Sequence, residues 1–152
     1  MTDFDSRLAV VQLSQAVDQF NSGKYYDCHD TLEPIWMLAP AAEKPFYQGI
    51  LQISVGLYHL GNTNWRGAVI LLGEGINRLY AFEPNHNQID VSHLIDQALN
   101  WLSALQQLGP DRVQCLAQQL PSSSAPNTEE KPEDPGVSLG IKLEIPYIQV
   151  VS

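Results

Sequence analysis

Four histidines stand in this chain, and two of them fall on faces that ought to be apolar. His29 and Glu33 are four residues apart, so a helix sets them on one side together with Leu32 and Trp36. Gln48, Gln52, Val55 and His59 follow at spacings of four, three and four, which lines up two amides and a second imidazole along one helical edge. If the two segments pack antiparallel, His29 and Glu33 face the Gln52 and His59 edge. A buried carboxylate and a buried imidazole must find partners or change protonation. The pattern predicts an internal polar cluster of His29, Glu33, Gln48, Gln52 and His59 beside Trp36.

Three chemistries compete for that cluster. As a metal site, His29, Glu33 and His59 supply two imidazoles and one carboxylate, a set that suits zinc or non-haem iron with open positions. The spacing is unlike HExxH. As an acid–base site of hydrolase type, Glu33 would be held protonated by burial while His29 or His59 moves a proton. Cys28 adjoins His29 in sequence, but neighbours on a helix point about 100° apart, so the two do not make a dyad. As a structural network, the cluster satisfies itself, with help from the Asp30 carbonyl that Pro34 leaves without a donor beside a kink. The network is the expectation carried forward. No cofactor is expected, a divalent metal at His29, Glu33 and His59 being the rival.

The elements that position these residues are helices. Phe4, Leu8, Val11, Val17 and Phe20 mark one face of a first helix, which Asn21-Ser22-Gly23 breaks. A second runs from Tyr25 to about Leu38, a third from about Glu43 to Leu60, and a fourth from Trp65 to about Phe82, stopped by Glu83-Pro84-Asn85. A fifth spans about Val91 to Leu108, and Pro110 opens a short sixth. Gly49 and Gly56, seven apart, allow a neighbouring helix to come close. Trp36, Trp65 and Trp101 are read as core anchors, His86 and His93 as surface, and Glu74 with Arg78 as a solvated pair.

The turns Asn21-Ser22-Gly23-Lys24 and Gly61-Asn62-Thr63-Asn64 lie about 40 residues apart and both lead into aromatics. They suggest two tetratricopeptide-like hairpins stacked inside a bundle. The fold class expected is all-α, an antiparallel bundle of five to six helices over residues 1–120, with an extended C-terminal tail. Residues 121–136 hold four of the ten prolines and no large apolar side chain, the composition of a mobile acidic linker. In 137–152, Val137, Leu139, Ile141, Leu143, Ile145 and Tyr147 alternate with Ser138, Gly140, Lys142, Glu144 and Pro146, a strand signature with no evident second strand to pair with. Such a tail either lies in a groove of its own bundle, or is disordered, or joins a homo-oligomer through residues 137–150.

Composition excludes several classes. Seventeen acids against eight bases give a charge of −9, which argues against nucleic acid and anionic membrane as partners. The longest apolar run, Ala68 to Leu72, is far short of the ~18 residues of a membrane span. The start MTDFDSRL shows no basic region and no apolar core of a signal peptide. Cys28 and Cys115 form no CxxC and no disulfide scaffold. The expected compartment is cytoplasmic, or a plastid-stroma-like equivalent.

Phe20-Asn21-Ser22-Gly23-Lys24-Tyr25, Cys28-His29-Asp30-Thr31-Leu32-Glu33-Pro34-Ile35-Trp36, Phe46-Tyr47-Gln48-Gly49-Ile50-Leu51-Gln52, Tyr58-His59 and Gly67-Ala68 follow one another in an order that resembles the family known as domain of unknown function 309. The likeness covers roughly residues 15–82 and its motif falls on His29, Glu33, Trp36, Gln48, Gln52 and His59. It implies a small all-helical bundle in a soluble bacterial, archaeal or plastid protein, and no established activity. Asp30 stands where the family more often has glutamate, and Pro34 is peculiar to this chain. The function expected is a non-enzymatic module for interaction or self-association; the alternative is a metal-dependent or acid–base enzyme at His29, Glu33 and His59.

Overall fold

The computed structural model describes residues 6–121 and 143–151. Six helices are present among them: α1 (Ser6–Asn21), α2 (Tyr25–Leu38), α3 (Lys44–Gly61), α4 (Trp65–Leu79), α5 (Val91–Leu108) and α6 (Val113–Ala117). A tight hairpin of β1 (Asn85–His86) and β2 (Ile89–Asp90) sits between α4 and α5. The expected all-α fold is therefore found, with the hairpin as its one addition. The fourth helix stops at Leu79, and Tyr80–Phe82 continue it as a tighter 3-10 turn.

Each helix packs chiefly on the next, α1 on α2, α2 on α3, α3 on α4 and α4 on α5. The suspected repeat is visible bond by bond at a period of 40. Ser22 N donates to Asp18 O, Gly23 N to Phe20 O and Lys24 N to Gln19 O; Asn62 N donates to Tyr58 O, Thr63 N to Leu60 O and Asn64 N to His59 O. Gly23 (φ 78°) and Thr63 (φ 59°) hold the same left-handed position. Buried partners repeat with it: Leu13 with Ile53, Val17 with Leu57, Phe20 with Leu60, Cys28 with Ala68, Leu32 with Leu72. Two hairpins of one design thus stack through α2 and α3.

The tightest seam lies between α3 and α4. A side chain on Gly75 would stand 2.7 Å from the Gly49 carbonyl oxygen, and one on Gly49 would stand 2.7 Å from Leu79 Cγ. Only glycine permits this approach. The first helix corrects the sequence reading. Leu8 and Val11, expected inward, are exposed; Ala9, Leu13, Ala16, Val17 and Phe20 face the core. Two alanines in that stripe, Ala9 and Ala16, are easily missed by a search for large side chains. Phe4 lies outside the described residues.

The tail, in its described part, lies on its own bundle. Ile148 is buried and its neighbour Val150 bridges to Ile89. The hairpin supplies the second strand that the sequence reading did not find. Parity also differs from expectation: Ile145 and Tyr147 point outward, and Pro146 and Ile148 point in. Alternation carries through Pro146; the parity shifts before it, where Glu144 and Ile145 are both exposed. The linker reading of 121–136 falls, after Pro121, on residues outside the described part, as do Val137, Leu139 and Ile141.

Candidate functional site

The six residues of the expected cluster do not meet at one point. His29 Nε2 lies 3.2 Å from Glu33 Oε2, and Nδ1 lies 3.3 Å from Asp30 Oδ1. Both carboxylates are largely in water, 46% and 60% exposed. The pair predicted by the i, i+4 spacing exists, but at the surface of α2. Gln52 instead turns to α4, where its amide nitrogen donates to Glu74 Oε2 at 3.0 Å and its oxygen accepts from Arg78 Nε at 2.9 Å. Glu74 and Arg78, read as a solvated pair, are thus clamped by a buried amide. His59 Nδ1 lies 3.4 Å from Asn64 Nδ2, beside Gly67 in the second inter-helix turn. Gln48 and Trp36 are half-buried, and the Lys44 ammonium sits over the Trp36 ring while donating to the Trp36 and Met37 carbonyls that end α2.

What joins the two histidines is a row of rings. His29 lies 5.4 Å from Tyr26, Tyr26 lies 5.0 Å from Tyr58, and Tyr58 lies 6.1 Å from His59, centroid to centroid. Among the described residues no three His, Cys, Asp or Glu side chains are grouped to hold a metal ion. Two cavities of about 430 Å3 are present, and neither is lined by His29, Glu33 or His59. Cys28 is inert by placement. Its thiol is 3.2 Å from Ser54 Oγ, whose own proton goes to the Ile50 carbonyl at 2.9 Å. Burial pushes that thiol up to about 12, the Ser54 bond pulling the other way. A thiol so held is no nucleophile at neutral pH.

Side-chain amides do converge elsewhere, on the tail. Gln119 Oε1 accepts from Leu143 N at 2.9 Å, Gln97 Oε1 from Tyr147 N at 2.8 Å, and Asn21 Oδ1 from Ile148 N at 2.7 Å. Asn21 Nδ2 returns a bond to Ile148 O at 3.0 Å, and the Trp101 indole donates to Glu144 O at 3.0 Å. Asp90 N donates to Gln149 O and Val151 N to Gln88 O, both at 2.8 Å, closing a short antiparallel ladder with β2. These groups come from α1, α5, the hairpin and the end of α6. Each binds backbone, so the groove reads an extended chain more than its side chains. Of the chain's thirteen glutamines, Gln97 and Gln119 serve the tail in this way.

Residues 13–71 match the family model described as Domain of unknown function (DUF309). Over that stretch, less than half of the chain, the sequence is similar to the family. The matched stretch takes in both repeated turns and all six motif residues, and it ends within α4. An uncharacterized protein of Bacillus subtilis (strain 168), YpuF, is 36% identical over 70 residues, which is 45% of this chain and 40% of the relative. The chain thus matches well under half the length of that relative. No solved structure matches. The groove is shared across the edge of the match: Asn21 lies inside the matched residues, whereas Gln97, Trp101 and Gln119 lie beyond them.

A second feature escaped the sequence reading. His86 was read as surface, yet its Nε2 donates to both oxygens of Glu43, at 3.1 and 2.9 Å, and its ring packs between Phe46 and Phe82 at 4.6 and 4.8 Å. Glu43 and His86 are 43 residues apart, so no local spacing announces the pair. His93, also read as surface, has its Nδ1 buried without a hydrogen-bond partner among the described residues. Among those residues no helix is long and apolar enough to cross a membrane.

Proposed function

We propose that the protein is a non-enzymatic interaction module, in which stacked helical hairpins hold an extended segment by its backbone. The observation that carries this reading is the set of amide and indole bonds from Asn21, Gln97, Gln119 and Trp101 to residues 143–148. In this structure the groove holds the chain's own tail. Because the bonds address backbone, the tail of a second copy fits the same groove, and self-association through residues 137–150 follows by exchange. A tethered tail competes at an effective concentration of roughly millimolar, so exchange is favoured only when protein is concentrated. The charge of −9 leaves nucleic acid and anionic membrane out of the proposal, and a cytoplasmic or plastid-stroma-like setting goes with it.

The test uses the full chain carrying Ile148→Asp, which unseats the tail by placing a charge where Ile148 is buried. The expected result is retained helix by circular dichroism and binding of a synthetic peptide spanning residues 143–151. No peptide binding by a chain that remains helical would overturn the proposal. The enzymatic alternative would need His29, Glu33 and His59 to act together. Stoichiometric metal in the purified protein, lost in both His29→Ala and His59→Ala, would establish it over the present reading.

A further inference from the structure

We infer that the end of the tail completes a small-molecule site for an organic ammonium with a short apolar body. The cavity of about 430 Å3 at this corner is lined by one face of α1 (including Ala9, Leu13 and Val17), by Ile89 of the hairpin and by Val150 of the tail. That wall is mainly aliphatic, with Ser6 and Ser14 beside the apolar side chains, and Glu43, Tyr47 and Asn87 add polar groups to the lining. A volume of a few hundred Å3 with an apolar lining and a few convergent polar groups is the usual form of a ligand pocket.

The polar groups set the charge of the ligand. Among the described residues of the lining Glu43 is the one carboxylate, and it is an acceptor only. It takes bonds from His86 on both oxygens and from Asn87 Nδ2 at 3.4 Å, and a carboxylate has about four lone-pair positions to offer. Tyr47, itself buried, accepts from Asn87 Nδ2 at 3.5 Å. The turn that delivers Asn87 is strained: Asn87 and Gln88 both have positive φ, 49° and 66°, in a position that usually takes glycine second. A glutamine held there is an observed cost at the lip of a cavity, a mark of functional sites. A ligand that donates several hydrogen bonds and carries positive charge answers the carboxylate, while its hydrocarbon part meets α1, Ile89 and Val150.

Gln88 also accepts from Val151 N, so the same turn holds the tail and frames the cavity. A molecule that touches Val150 favours the docked tail by the same factor by which the docked tail favours the molecule. This coupling rests on the segment-binding reading; the cavity itself does not.

The experiment titrates the full chain with n-hexylammonium, n-hexanol and hexanoate, which share a body and differ in head, and follows amide chemical shifts. The ammonium is expected to move the signals of Ala9, Leu13, Asn87 and Val150, with hexanol weaker and hexanoate inactive. Glu43→Gln, which keeps one acceptor oxygen for His86 and removes the charge, should weaken ammonium binding about tenfold or more, as loss of a charge-assisted bond does. Ser14→Trp, at a lining position that is exposed, should block it by filling space. Equal response to all three heads, unchanged affinity in Glu43→Gln, or shifts confined to other residues would each overturn the inference. The Trp101 indole proton, bonded to Glu144 O, reports the tail separately. If it shows the tail undocked throughout, the segment-binding reading fails whatever the ammonium does.

Discussion

Two seams hold this molecule together, and they are made of different materials. Between α3 and α4 the contact is mainly glycine against glycine and aliphatic against aliphatic, with Gly49, Gly56 and Gly75 meeting Leu72, Ile53 and Leu79, and with Gln52 bonded to Glu74 and Arg78 across it. Between the tail and the bundle, the contact is backbone against amide side chains, with Ile148 the deeply buried anchor. The first seam depends on volume and accepts no added atom. The second depends on hydrogen bonds that water, or another chain, can also supply. The comparison teaches that one surface of the bundle is built to stay closed and the other to be remade.

The sharpest way to break that contrast is Gly75→Val. Its Cβ would collide with the Gly49 carbonyl, which is backbone and cannot turn aside. The expected loss is about 3 kcal/mol or more in denaturant unfolding, at the upper end of overpacking effects. A loss below ~1 kcal/mol would mean the α3–α4 seam is as adaptable as the tail groove.

Alkali should strain the core before the groove. Burial raises the Cys28 thiol from 9.0 to about 12 and raises Tyr25 and Tyr47 as well. The unfolded thiol ionises above about 9 while the folded one stays neutral, so the unfolded state binds fewer protons and stability falls as pH rises from about 9 toward 12. Urea melts at pH 8 and pH 11 should show the decline, and Cys28→Val should flatten part of it. In a thiol-labelling assay at pH 8, Cys115 should react well before the buried Cys28.

Asn21→Ala removes two bonds to Ile148, at 2.7 and 3.0 Å. The expected cost is about 1–3 kcal/mol in tail docking, read as faster hydrogen exchange at Ile148 and Tyr147 with the α3 amides unchanged. If the α3 amides accelerate equally, the tail is part of the global fold and the two seams are not independent. The smallest effect is expected for His29→Ala. Its partners are largely exposed, so the change in stability should stay within ~1 kcal/mol, measured by thermal melting at pH 6 and pH 8.

The helical fold was legible because its signals are local. Tyr25–Leu38 and Val91–Leu108 begin and end where stops and periodicity put them, and Gly49 announces close packing. The repeat was legible from its turns, whose period of 40 the backbone bonds confirm. The candidate site was much less so. The spacing of His29 and Glu33 established the pair, but not how far α2 is rotated, and that rotation decides whether the pair faces Gln52 or water. Gln52 found Glu74 and Arg78, partners 22 and 26 residues away on a helix that the cluster argument had not considered. The Glu43–His86 pair and the amides under the tail join residues 24 to 127 positions apart, and no periodicity encodes such distances. Amides also escape notice because Gln and Asn read as surface in any hydropathy pattern.

Pro121 rests on Gly23 at the first inter-helix turn, and Leu143 is tied to Gln119, only two residues before Pro121. The described chain therefore stops at Pro121 and resumes at Leu143 in almost the same place. A loop whose two feet stand together pays little for extra length, about 0.6 kcal/mol for each doubling. Length added between Pro121 and Leu143, even a whole inserted domain, should therefore cost the docking of residues 143–151 little.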